Sequence, residues 1–240
     1  SWPAPENVQA LVTTRANPSS STKILKNAYA DFNLATHVGD EPTSVAHNRH
    51  ILAETIGIYE DSLCWLEQVH GQEIVSAAGH KPPPKADACD TQEKSTACIV
   101  MTADCLPVLL CNKEGTQVSA IHAGWRGLLA GIISNTAAMF NTKNVIAWLG
   151  PAIGPDCFEV GKEVKSSFVS KSEKFSPAFK QKNEQKFLAD IYQLATIELA
   201  MLGITQVYGG DFCTVTDEQQ FYSYRRDGET GRMASLIWRD

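Results

Sequence analysis

The sequence predicts a mixed α/β (α+β) fold in a single domain over residues 1–240. Three observations predict it. Short apolar runs rich in branched residues read as strands, and longer amphipathic stretches read as helices. The two kinds are interspersed without a regular βαβ period, which argues against a doubly wound parallel sheet. No low-complexity linker divides the chain, and 240 residues suffice for a sizeable core.

In chain order, strands are expected at 11–14, 64–69, 97–102, 107–111, 117–122, 145–149 and 206–208. Lys113, Glu114, Gly115 and Thr116 form the turn that joins two of them into a hairpin. A late hairpin is expected from 223–225 and 234–238, around Gly228 and Gly231. Helices are expected at 42–56, 127–140, 161–169 and 187–202. Thr43 or Ser44 would cap the first, and Gly203 would end the last. Polar residues 17–22 read as an exposed loop, Pro82 to Pro84 as a stiff loop, and 171–186 as a surface excursion of a helix-rich segment.

Composition narrows the function. Hydrophobic residues at 43% and charged residues at 20% are ordinary for a globular protein. A net charge of -6 disfavours a broad basic face for nucleic acid or an anionic membrane, but leaves room for a local basic pocket. No apolar run is long enough to span a bilayer, and the first residues lack the basic start and apolar stretch of a signal peptide. A cytoplasmic setting is therefore expected. Seven cysteines, an odd number in a long chain, do not read as a disulfide scaffold. The lack of a CxxC pair removes zinc-ribbon and thioredoxin-like readings. Neither GxxxxGK[ST] nor GxGxxG occurs, so a nucleoside triphosphate or dinucleotide cofactor has no support.

Three segments carry ligand-type residues: 67–71 with His70, 101–107 with Cys105, and 120–127 with His122. Each ends or interrupts an expected strand. Imidazole and thiolate suit zinc and can also hold copper. Three protein ligands with an open fourth position are the pattern of catalytic zinc, whose bound water becomes a nucleophile near neutral pH. The spacings are too long for a local motif, so convergence is not legible in the sequence. Two other readings stand beside this one. The three residues can be ordinary core or surface residues. Alternatively, Cys105 is a nucleophile and one His its base. Asp104, on a strand, would point away from Cys105 and serve only to fix a turn.

Other stretches admit a functional and a plain reading. Gly124-Trp125-Arg126-Gly127 permits a tight turn into a helix, whose first N–H groups suit a phosphate or carboxylate. Residues 149–155, rich in Gly and Pro, make a rigid loop that walls a pocket or simply connects. Residues 221–227 combine aromatics with Arg and can stack a base and bind an anion, or form a solvated hairpin.

In these segments the chain resembles the YfiH family, also called the laccase-domain or polyphenol-oxidase-like family. The matching stretches are 65–71, 102–108, 122–127, 150–161 and 222–234, together with Asn33-Leu34 and His37-Val38-Gly39-Asp40. The resemblance implies an α/β/β/α layered domain with mixed sheets, and a zinc site, also copper-competent, at His70, Cys105 and His122. It implies phosphorolysis of purine nucleosides such as adenosine, inosine and methylthioadenosine, with adenosine deamination beside it. Purine nucleoside and phosphate would then be the partners, with no nucleic acid and no membrane. Family members have also been linked to phenol oxidation and to peptidoglycan editing, the latter fitting a cysteine hydrolase. Arg15 and Asn33, by motif position, are the expected phosphate or ribose contacts. One departure is visible: Thr14-Arg15 is followed by Ala16-Asn17-Pro18-Ser19 where the family carries Gly-Gly-Val-Ser.

Overall fold

Branched apolar runs become strands and amphipathic stretches become helices in the computed structural model, which describes residues 2–18, 28–77, 82–140 and 144–240. The chain begins β1 (Val8–Val12), α1 (Pro42–Ile56), β2 (Leu63–Cys64), β3 (Ile74–Ser76) and β4 (Ala88–Thr91). It continues β5 (Ala97–Thr102), β6 (Leu106–Asn112), β7 (Val118–Ala123), α2 (Trp125–Ala130), α3 (Ile132–Ala137) and β8 (Val145–Leu149). Then come β9 (Glu159–Gly161), α4 (Lys162–Lys171), β10 (Phe179–Gln181), β11 (Lys186–Ala189) and α5 (Ile191–Met201). It closes with β12 (Gln206–Gly209), α6 (Tyr224–Asp227) and β13 (Met233–Arg239).

Two mixed sheets stack face to face. One runs β1-β13-β5-β2 and the other β12-β8-β6-β7-β4-β3; β10-β11-β9 form a third, small sheet that packs into the same core as the second. The period-two alternation of strands decides what each side chain packs against. In β5, Ile99 and Met101 meet Ile51 and Leu52 of α1, while Cys98 and Val100 face the second sheet. In β6, Leu109 and Cys111 complete that inter-sheet layer, while Val108 and Leu110 face Leu128, Ile133 and Leu199 of the helices beyond. The order of layers is therefore α/β/β/α, in agreement with the expected fold. Among the described residues no helix is long and apolar enough to cross a membrane.

Several expectations coincide with the elements: α1, β5 and β8 have the bounds read from periodicity, and β6, β7 and β12 differ by a residue or two. Others need correction. The first strand is Val8–Val12, not 11–14, set by its antiparallel register with β13. The expected strand 64–69 stops at Cys64. Beyond it the Gln68 side chain does what a neighbouring strand would: its Nε2 donates to the Met101 carbonyl at 2.8 Å and its Oε1 accepts the Met101 N–H at 2.7 Å. Glu41, not Thr43 or Ser44, precedes the first turn of α1, with Pro42 at the position where a missing N–H costs nothing.

The helix expected over 187–202 begins only at Ile191. Phe187 to Ala189 belong to β11 (Lys186–Ala189), and Asp190 caps the helix by accepting the Gln193 N–H. The late hairpin is absent. Ser223 caps the short helix α6 instead, and β13 pairs with β1 and β5. The polar excursion over 171–186 carries a 3₁₀ turn, Glu173–Ala178, with Phe175 and Ala178 buried. Residues 19–22 of the polar loop, and Ser19 of the altered Thr14-Arg15 stretch, lie outside the described residues.

The helix expected over 127–140 is two short helices, α2 and α3, broken at Gly131. Gly131 adopts φ 97°, in the left-handed region that side chains with a Cβ resist. A methyl group there would find its nearest neighbour 3.8 Å away, so the cost of Gly131→Ala is conformational, not steric. That variant is expected to lose about 1–2 kcal/mol in urea denaturation, with an unchanged m-value. An unaltered midpoint would show that the break does not depend on glycine.

Candidate metal centre

The centre lies at the open end of the two stacked sheets. Strand β7 directs Val118 and Ala120 into the inter-sheet layer, and His122 continues that face to the strand's end. Pro107 of β6 is registered opposite His122, which brings Cys105, just before β6, alongside. A bridge between Glu67 and Lys85 lays the 68–71 loop beside the segment leading into β4. His70 sits in that loop with φ 59°, a left-handed turn that delivers its ring. One ligand atom from each of His70, Cys105 and His122 lies within 4.8 Å of the other two.

Asp87 organises the group. It is fully buried, immediately before β4. Its Oδ1 accepts the His122 Nδ1–H at 2.7 Å and the His70 backbone N–H at 2.9 Å. Its Oδ2 accepts the backbone N–H of Gly71 at 2.6 Å and of Val69 at 3.2 Å. Burial alone would raise the Asp87 carboxyl, but His122 and these N–H groups outweigh it and hold it below the usual carboxylate range. A charged carboxylate on Nδ1 fixes the His122 tautomer and leaves Nε2 to face Cys105 and His70.

Sulfur and imidazole are strongly coupled here. Burial pushes the Cys105 thiol up, yet His122 and then His70 beside it bring it down to about 6. Burial pushes His122 down, while Cys105 and Asp87 raise it to about 9. The Cys105 Sγ is 3.8 Å from His70 Nε2, and the two imidazoles stand edge to face with centroids 4.7 Å apart. Zinc bonds of about 2.0–2.3 Å place ligand atoms roughly 3.3–3.8 Å apart, so small side-chain rotations bring the three onto one ion. Gly124 makes the room: a Cβ there would stand 3.0 Å from His70 Cδ2 and 3.1 Å from Cys105 Sγ. The donor set and its spacing fit zinc, and the soft thiolate also suits copper.

A cavity of about 420 Å³ opens over the group. Its walls carry Trp125, Phe158 and Tyr224, and three guanidinium side chains, Arg126, Arg225 and Arg232. Arg126 stacks on Trp125 at 4.4 Å, and Arg225 lies 5.8 Å from the Phe158 ring. The Arg232 Nη1 donates to the carbonyls of Thr230 and Gly231. His37, also on the wall, is held below the usual imidazole range by burial, then by Arg232 and Arg49. A chain of net charge -6 thus presents a cationic pocket, which focuses anions.

The remaining sequence expectations divide. Asp104 lies in the turn between β5 and β6 at φ 91°. It fixes that turn: Oδ1 accepts the Thr214 hydroxyl at 2.6 Å and Oδ2 the Arg225 N–H at 2.6 Å. The Gly/Pro-rich 149–155 segment does wall the cavity, through Ile153. The Tyr192 hydroxyl secures it, donating to the Phe212 carbonyl and accepting the Ala152 N–H. From 221–227, Tyr224 and Arg225 face the cavity, while Arg226 pairs with Asp227 and binds the Thr214 carbonyl. Arg15 and Asn33 do not line it. Arg15 donates to the Glu218 carbonyl and lies over Tyr222. Asn33 is fully buried, its amide bonded to Ala35, Asp40 and the Arg232 N–H.

Sequence reading missed Asp87, Gln68 and Tyr192 as supports of the site. Asp87 had a signal: an acid among Ala86, Ala88 and Cys89 in an apolar run needs donors to justify its burial.

A family model described as multi-copper polyphenol oxidoreductase laccase matches residues 9–240. Purine nucleoside phosphorylase YfiH of Escherichia coli (strain K12) is 49% identical over 240 residues, covering 99% of this chain and 96% of its own. Purine nucleoside phosphorylase PA4543 of Pseudomonas aeruginosa is 45% identical with the same coverage. The crystal structure of Neisseria meningitidis protein NMB0706 superposes with a TM-score of 0.93 at 46% identity, over 100% of this chain and 97% of that one.

Proposed function

The chain belongs to the multi-copper polyphenol oxidoreductase laccase family, and from that premise we propose that it is a purine nucleoside phosphorylase built around a metal held by His70, Cys105 and His122. The observation that carries this reading is the three-ligand group lying under a cavity with both aromatic and cationic walls. The names of its relatives support the activity. We take zinc as the metal, with copper as the competitor, and adenosine, inosine and methylthioadenosine as substrates. The single domain spans residues 1–240, and the cytoplasm is its setting.

Zinc, when bound, supplies Lewis acidity and lowers the pKa of a coordinated water. The chain's own residues do the rest. Trp125, Phe158 and Tyr224 offer flat faces for a purine. Arg225 and Arg232 hold phosphate beside the anomeric carbon, where planar guanidinium groups bind oxyanions in pairs of hydrogen bonds. The C–N bond breaks as a phosphate oxygen closes on that carbon, and the sugar's positive charge develops against the phosphate dianion. Cys105, His70 and His122 hold the metal, while Asp87 holds His122. Arg15 and Asn33 act at one remove. Asn33 Oδ1 accepts the Arg232 N–H at 3.0 Å, and Arg15 steadies Tyr222.

Arg232→Gln is expected to raise the KM for phosphate about tenfold or more, the loss of one charge-assisted hydrogen bond, with a smaller change in the KM for nucleoside. Steady-state kinetics with each substrate varied in turn checks this. An unchanged phosphate KM would remove Arg232 from the anion site.

Adenosine deamination is the second reading, favoured by a group of three ligand-type residues, because with three protein ligands a catalytic zinc would have a position for water. One experiment separates the readings: product analysis with adenosine, with and without phosphate, on protein of defined metal content. Adenine and ribose 1-phosphate, formed only with phosphate, support phosphorolysis. Inosine points to deamination. Neither product, with oxygen uptake on phenols, turns the assignment to copper oxidation. A covalent Cys105 adduct and turnover without metal would favour the thiol as nucleophile.

A further inference from the structure

Two half-buried thiols, Cys157 and Cys213, flank Gly154 behind the cavity wall, the first through its backbone N–H and the second through its sulfur. The Cys213 Sγ accepts the Gly154 N–H at 3.2 Å. The Thr216 hydroxyl donates to the Cys213 carbonyl at 3.4 Å. Burial pushes the Cys213 thiol up, but hydrogen bonding from Thr216, Gly154 and Val215 outweighs it and holds it below the usual thiol range. Burial, and then the neighbouring Cys213, keep the Cys157 thiol above the usual range. Of the two, Cys213 gives up its proton the more readily.

The backbone around the pair is already fixed. Cys213 bridges to Ala152, and the Thr214 N–H reaches the Ala152 carbonyl at 3.0 Å. The Cys157 N–H reaches the Gly154 carbonyl at 3.0 Å. Gly154 permits the close approach, since a Cβ there would stand 3.0 Å from Cys213 Sγ. The other cysteines differ. Cys64, Cys89, Cys98 and Cys111 are sealed between the sheets, and Cys105 belongs to the three-ligand group.

We propose that Cys213 and Cys157 are a dithiol that a hydroperoxide oxidises to a disulfide on the outer wall of the cavity. The Cys213 sulfur attacks the terminal peroxide oxygen. An S–O bond forms, the O–O bond breaks, and the leaving oxygen takes a proton as water or alcohol. The Cys157 sulfur then attacks the Cys213 sulfenic sulfur. An S–S bond forms, the S–O bond breaks, and hydroxide leaves with the Cys157 proton as water. Two thiols have then lost two electrons and two hydrogens to one peroxide. The bond staples the segment that carries Ile153 and Phe158, both on the cavity wall, and Arg225, which donates to the Cys157 carbonyl at 3.3 Å. The chemistry is independent of the substrate the cavity takes.

The test uses purified full-length protein supplied with zinc and treated with hydrogen peroxide, with and without dimedone as a sulfenic-acid trap. Wild type is expected to lose two titratable thiols and to yield a 157–213 cross-linked peptide that dithiothreitol reverses. Cys157→Ser is expected to accumulate a dimedone adduct at Cys213. Cys213→Ser is expected to give neither cross-link nor adduct at Cys157. Absence of the cross-link in wild type, or labelling of Cys105 in place of Cys213 in the Cys157→Ser variant, overturns the proposal. Peptide mass and thiol count read these results without any turnover, so failure of the phosphorylase assignment leaves them intact.

Discussion

His122→Ala is expected to lose bound zinc and phosphorolysis together, with kcat/KM falling by about a thousandfold or more. Removing a metal that stabilises developing charge costs several kcal/mol at the transition state, and each ~1.4 kcal/mol is tenfold in rate. The effect should be this large because His122 is tied to everything else in the centre. It faces Cys105 and His70 on one side and is held by Asp87 at 2.7 Å on the other. The substitution leaves Asp87 buried but still served by three backbone N–H groups, so the fold should survive. Metal content by elemental analysis, circular dichroism and product assay are read on the same preparation. A folded, zinc-free variant with undiminished phosphorolysis would end the metal assignment.

Asp87→Asn separates support of the metal from ligation of it. The amide keeps the size of the carboxylate but loses the charge, and it turns one acceptor into a donor facing backbone N–H groups. Two consequences follow. His122 loses the partner that fixes its tautomer, which is expected to weaken zinc binding about 10–100-fold. One or more of the Val69, His70 and Gly71 N–H groups is left unpaired in a buried place, which costs about 1–3 kcal/mol of stability. Zinc competition titrations read the first and denaturation the second. Activity should return at high zinc, because the three ligands themselves are untouched. An affinity equal to wild type would reduce Asp87 to a loop anchor. Asp87 also carries a pH signature. A carboxyl held below its unfolded value contributes stability that is fully present above the usual carboxylate range and is lost as pH falls through its folded value.

Much of this fold was legible in local patterns, and the failures share a cause. Pro42–Ile56, Ala97–Thr102 and Val145–Leu149 were read at their observed bounds. In each of them propensity, periodicity and flanking residues agree. Residues 187–189 were read as helix because an apolar run joined smoothly to a true amphipathic one. Their place in a strand is set by pairing with β9 and β10, which no window of sequence contains. Likewise 223–225 has strand composition, but Ser223 caps a helix turn that Asp104, far away in the chain, anchors through the Arg225 N–H.

The ligand types were a matter of sequence alone: two imidazoles and a thiolate, each at the end or break of a strand, with glycine placed to let them approach. Their convergence was not, because it depends on which strands pair and in what register, and long-range pairing is a property of the whole hydrophobic core. Asp87 shows the difference most plainly. In the sequence it is one acid among apolar neighbours. In the folded chain it is the acceptor that joins the 68–71 loop to the end of β7, since a charge can be buried only where enough donors gather to replace water.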